Sequence, residues 1–117
     1  MYGTIIYITN MKYFKIREFT KSDVAKRNNI NNSPSKREEQ NIILLVDNIL
    51  DPLREVYGKP IIVTSGFRCK RLNNIVGGSK KSQHCNGEAA DIRSLSDSRE
   101  ENKKLFDLIL ELDLPFD

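Results

Sequence analysis

One histidine and two cysteines are all that 117 residues offer in the way of soft or borderline metal ligands. No CxxC pair occurs, and Cys69 and Cys85 have fifteen residues between them, which excludes a zinc-finger framework. The two thiols can join in one disulfide under oxidising conditions or stay buried and free, and neither state makes them catalytic. Long apolar runs are also missing: none approaches the roughly 20 residues that cross a bilayer, so no membrane partner is expected. The amino terminus, MYGTIIYITNMK, has no basic start, no long apolar stretch and no small-residue cleavage site. That pattern predicts no signal peptide and a protein that is cytoplasmic as made. No internal repeat occurs.

A chain of this length with 38% hydrophobic and 30% charged residues suits one domain around a single core and is too apolar for a disordered chain. Its net charge of +3 is unevenly spread. Residues 59–93 hold seven basic and two acidic residues, whereas residues 94–117 hold three and seven. The central positive island can attract nucleic acid or a small anionic group such as a carboxylate, or serve as a solvated loop. Phe67 is its one aromatic residue. A nucleic-acid platform interleaves stacking rings with its cations, so no nucleic-acid partner is expected.

Residues 1–11 read as a leader or an extra strand, and residues 12–117 as the domain proper. Thr20 and Ser22 can cap a short helix over Asp23 to Arg27, and the stretch NNINNSPS is a connecting loop. Ser35 and Glu38 then form an S-x-x-E capping box that starts a long helix. In it Ile42, Leu45, Val46, Ile49, Leu53 and Val56 recur at helical spacing, leaving Lys36, Glu39, Asp47 and Glu55 for solvent. Pro52 predicts a kink near Asp51, and Tyr57-Gly58 the end. Pro60 to Thr64 reads as a buried strand, Phe67 to Glu88 as a long loop, and Ala89 to Arg93 as a second strand. Asp97 and Glu100 are the expected caps of a last helix with Leu105, Leu108, Ile109 and Leu112 on its apolar face, stopping before Pro115.

His84 lies in the run Ser82-Gln-His-Cys-Asn-Gly-Glu-Ala-Ala-Asp91. A lone loop histidine is commonly a satisfied surface residue. Asp91, seven residues on between Ala90 and Ile92, is expected to be buried, and a buried carboxylate needs a cation. That cation is either Arg68 or Arg93, a purely structural pairing, or a metal shared with His84. Arg68 can reach a terminal carboxylate with its guanidinium or form a salt bridge to Asp91 or Glu88. Ser82 can bond a substrate or its own loop backbone.

The pattern Ser82-x-His84-x-x-Gly87-x-Ala89-Ala90-Asp91, after Ile62-x-Thr64-Ser65-Gly66-Phe67-Arg68 and Leu72-Asn73-x-x-Val76-Gly77-Gly78-Ser79, resembles the D-alanyl-D-alanine carboxypeptidase-like zinc peptidases, in the branch with phage endolysins and bacterial cell-wall peptidases. The resemblance implies an α+β fold of the Hedgehog/DD-peptidase type, with helices packed on a small, mainly antiparallel sheet. It implies zinc as cofactor, with His84 and Asp91 as metal ligands. Arg68 would be the catalytic residue that polarises the scissile carbonyl, and Arg68 and Ser82 would bind substrate. The implied partner is a peptidoglycan stem peptide, met at the cell wall after release. The family's later histidine ligand and the acidic base before it have no counterpart here, so the domain over 12–117 is expected to be C-terminally incomplete. The alternative is a non-catalytic, truncated relative that binds a wall peptide or a protein.

Overall fold

Local hydrogen bonding starts the helices where side chains can satisfy the free amides of a first turn. The structure, a computed structural model, describes residues 11–114. The expected leader or extra strand over 1–11 therefore lies outside them except for Met11, as does Pro115. Helix α1 is Arg17–Thr20 and α2 is Asp23–Arg27, the latter capped by Ser22, whose hydroxyl accepts from Ala25 N. Helix α3, Lys36–Leu45, carries the full capping box: Ser35 Oγ accepts from Glu38 N, and Glu38 Oε1 accepts from Ser35 N at 2.8 Å.

The expected kink is present but takes a specific form. Residues Val46–Leu50 widen into a π-helical turn before α4, Asp51–Tyr57, and Asp51 N–H bonds back to Val46 O. Pro52 has no N–H, and a normal α-turn would drive its ring into the carbonyl four residues earlier, so the ladder loosens ahead of it. Asp51 is used as well: its carboxylate accepts from Lys12 N at 2.7 Å and Tyr13 N at 3.2 Å, tying the incoming chain to this turn. Gly58, with φ of 76°, closes α4 in the left-handed conformation. Val56 departs from the expected apolar stripe and is 54% exposed, because the extra residue in the π-turn rotates the last positions away from the core. Asp47, expected in solvent, is half-buried.

Strands β1, Ile61–Ser65, and β2, Asp91–Ser94, pair antiparallel with Ile61 opposite Ser94 and Val63 opposite Ile92. Strand β2 begins two residues later than Ala89. A bulge between Val63 and Ser65 brings Ser65 opposite Asp91, and it re-aims the end of the ladder where the two chains leave the sheet. The intervening segment is more ordered than a loop: it contains α5, Lys70–Ile75, and a 3₁₀ turn, Gln83–Asn86. Helix α6, Arg99–Glu111, is capped by Ser98, whose Oγ accepts from Glu101 N, rather than by Asp97. Asp97 takes φ of 56° and instead accepts from the Asn102 side chain, so its carboxylate is turned away from the first helical amides.

Phe14, Phe19, Ile42, Val46, Leu50, Leu53, Ile61, Val63, Phe67 and Leu105 form one buried cluster, with Leu108 and Ile109 of α6 and Leu112 at its C-cap packed against it. Each such large side chain, fully buried, contributes about 1.5–3 kcal/mol. The result is an α+β domain with α3, α4 and α6 packed around a small antiparallel sheet, as expected. Among the described residues no helix is long and apolar enough to cross a membrane.

Candidate metal and substrate site

The Ser82-x-His84-x-x-Gly87 spacing is explained by one 3₁₀ turn. Ser82 is its N-cap, with Oγ accepting from His84 N at 3.2 Å, and Gly87 ends it with φ of 75°. A Cβ on Gly87 would come within 2.5 Å of Glu38 O, so only glycine lets the turn lie against α3. Asn41 of α3 donates to Asn86 O at 2.9 Å and holds the turn from the same side.

On this turn the His84 side chain is 13% exposed. Its Nδ1 lies 2.7 Å from Gly66 O, the first residue after β1. The carbonyl can only accept, so Nδ1 carries a proton, and in the neutral ring the lone pair belongs to Nε2. Nε2 stands 3.6 Å from Asp91 Oδ2 at the start of β2. The bulge sets this meeting: Thr64 Oγ1 donates to Asp91 O at 3.2 Å and anchors the residue that faces His84. The chain around Gly66 is fixed in turn, since a Cβ there would meet Phe19 Cα at 2.6 Å and Phe67 N donates to Phe19 O at 2.6 Å.

Two expectations about this site are corrected. Asp91 is not buried; its side chain is 65% exposed, because it is the first residue of an edge rather than the middle of a strand. Neither arginine pairs with it. Arg93 spends its guanidinium on Ser94 O and Leu95 O, and Arg68 donates to Ser82 Oγ at 3.3 Å. No salt bridge from Arg68 to Asp91 or Glu88 is present among the described residues. Arg68 N also donates to His84 O at 3.1 Å, so Arg68, Ser82 and His84 form one interlocked group. The Arg68 Nε is buried without a hydrogen-bond partner among the described residues, which leaves the outer guanidinium nitrogens as the ones able to meet a ligand.

A residue that sequence reading passed over holds this group in place. Asn32, 8% exposed, lies in the stretch read as a connecting loop. Its Nδ2 donates to Thr20 O and Phe67 O, each at 2.9 Å, and its Oδ1 accepts from Cys69 N at 2.8 Å. The two residues flanking Arg68 are thus clamped by a side chain more than thirty positions away. Both cysteines are free and half-buried.

The His84–Asp91 pair fits zinc as far as two donors go, since atoms 3.6 Å apart can both reach one ion at roughly 2.0–2.2 Å. The Gly66 carbonyl supplies the outer partner that orients a ligating imidazole. Among the described residues, no group of three or more His, Cys, Asp and Glu side chains is placed to hold a metal. A cleft of about 290 Å³ opens along Thr64, Gly66 and Arg68, the residues that support the pair.

An oriented imidazole beside a carboxylate, on a small α+β frame, is a donor pair of the kind metallohydrolases use. The family model for Peptidase M15 matches residues 12–108, and the chain belongs to that family. Membership points to metallopeptidase activity. No curated protein and no solved structure matches the chain.

Proposed function

We propose that this protein is a zinc-dependent peptidase that hydrolyses amide bonds of peptidoglycan stem peptides, of the D,D-carboxypeptidase or endolysin type, acting at the cell wall. The observation that carries the reading is the His84–Asp91 pair, fixed by the Gly66 carbonyl, in a member of the M15 family. His84 Nε2 and Asp91 Oδ2 would hold the metal. When bound, zinc supplies Lewis acidity that polarises a carbonyl and activates water near neutral pH. The chain's own residues then bind and orient. Gly66 O keeps the imidazole in the Nδ1–H tautomer, and Arg68, steadied by Ser82, offers its guanidinium to a peptide carboxylate or to the scissile carbonyl.

A second reading, a non-catalytic module that holds a wall peptide, is favoured by the donor count, because a catalytic zinc takes three protein ligands and the described residues bring two together. Incubation with purified peptidoglycan and zinc, followed by amine and D-alanine release, separates the two. The enzyme reading expects release that EDTA and His84→Ala both abolish. Wall-peptide binding with no release at any zinc concentration would replace it with the module.

A further inference from the structure

A second feature adjoins the candidate site and shares Ser82 with it. Beside Ser82 lies a cavity of about 650 Å³, within the range of about 300–1,000 Å³ usual for ligand sites. Lys70 stands at the start of α5, and Lys80 and Lys81 on the turn leading into Ser82; all three line the cavity and are exposed. None of the three ammonium groups pairs with a carboxylate among the described residues. The one carboxylate in the lining, Glu38, already accepts the Ser35 amide in the capping box. Three cations therefore face one engaged anion around a concave space. This arrangement raises the local concentration of anions and leaves the cations' hydrogen-bonding capacity to a ligand.

We propose that this cavity binds the acidic side chains of a peptide whose backbone runs past Ser82 towards His84, so that the protein selects carboxylate-bearing peptides. The inference rests on the peptidase reading, since it names the peptide class which that site takes. A peptide is favoured over a nucleic acid because the one ring in the lining, Phe67, is 4% exposed and offers no stacking face. The link to the site is Ser82, which lines the cavity while its Oγ contacts both the Arg68 guanidinium and the His84 amide. A carboxylate seated among the lysines leaves the peptide's next residues at the group that carries the imidazole.

The test is fluorescence anisotropy in EDTA with a rhodamine-labelled hexapeptide containing two glutamates and its twin containing two glutamines. The glutamate peptide is expected to bind about tenfold tighter, with the advantage shrinking as salt rises. Lys80→Glu/Lys81→Glu and, independently, Lys70→Glu should remove that advantage while leaving the circular dichroism and melting of these exposed positions unchanged. Equal binding of the twins, an advantage that survives both variants, or displacement of the peptide by equimolar inorganic phosphate would overturn the proposal. Zinc titrations of the same proteins keep the two readings apart. Peptide selection without zinc binding by the wild type would sink the zinc peptidase and leave the acidic-peptide site standing. Zinc binding lost in His84→Ala without peptide selection would do the reverse.

Discussion

His84 and Gly66 are joined by a 2.7 Å contact between the imidazole Nδ1 and a backbone carbonyl eighteen residues earlier, which leaves Nε2 as the ring's free acceptor. With Nε2 as a ligand, zinc should stabilise the fold by about 2.7 kcal/mol at a hundredfold excess over Kd, growing with the logarithm of zinc concentration, and so raise the melting temperature. His84→Ala should abolish the shift. Differential scanning calorimetry with zinc and with EDTA measures this, and a zinc-dependent rise that survives the substitution would move the metal to the cysteines.

Asp91→Asn separates a ligand from a structural carboxylate. The side chain is largely exposed and its partner is His84, so removing the charge should cost the metal-free protein no more than about 1 kcal/mol, the scale of exposed ion pairs. Zinc binding should nevertheless be lost. Urea melts in EDTA, paired with zinc titrations, would contradict this if the metal-free protein lost about 3–5 kcal/mol, the cost of breaking a buried pair.

Asn32→Ala removes three hydrogen bonds and strands Thr20 O, Phe67 O and Cys69 N. The expected loss is about 2–4 kcal/mol, since buried groups left without partners cost more than the bonds themselves contribute. Faster amide exchange should appear at Phe67 to Cys69 before it appears in α3. Exchange that rises only globally would show that the clamp has no local role.

Tyr57 and Glu101 predict an acid limb in stability. The hydrogen bond from Tyr57, with those from Lys104 and Lys59, pulls Glu101 from 4.5 down to about 2, and burial first, then Glu101, pushes Tyr57 up to about 12. A depressed carboxylate contributes stability that is present above pH 4.5 and lost as pH falls towards 2. A raised phenol contributes below pH 10 and loses its contribution between 10 and 12. Tyr57→Phe should thus be destabilised relative to the wild type at pH 7 and converge on it near pH 2. Denaturant melts that keep the same gap at both values would refute the coupling.

What could be read along the chain was whatever is closed by bonds between near neighbours. The Ser35–Glu38 box, the Ser22 cap, the stop at Gly58 and the apolar faces of the two long helices all depend on residues within a turn or two, so composition and spacing were sufficient for them. Ser82, His84 and Gly87 were legible only as a family-like pattern inside an expected loop; that they form a capped 3₁₀ turn with a left-handed end came from the structure. Where neighbours competed, local reading erred by small steps: Ser98 took the cap from Asp97, and β2 began at Asp91 rather than Ala89.

Contacts between distant segments belonged to the tertiary structure. A bulge opposite Asp91 turned an expected buried carboxylate into an exposed one, and packing sent Arg68 to Ser82 and Arg93 to backbone carbonyls instead of to that carboxylate. Neither the Gly66 carbonyl behind His84 nor the Asn32 clamp around Arg68 leaves a trace in spacing, because a hydrogen bond across eighteen or thirty-five residues is specified by how helices and strands pack. The sequence by itself determined which side chains stand ready for chemistry; their partners, exposure and mutual distances were decided by the packing of α1, α3 and the two strands around one core.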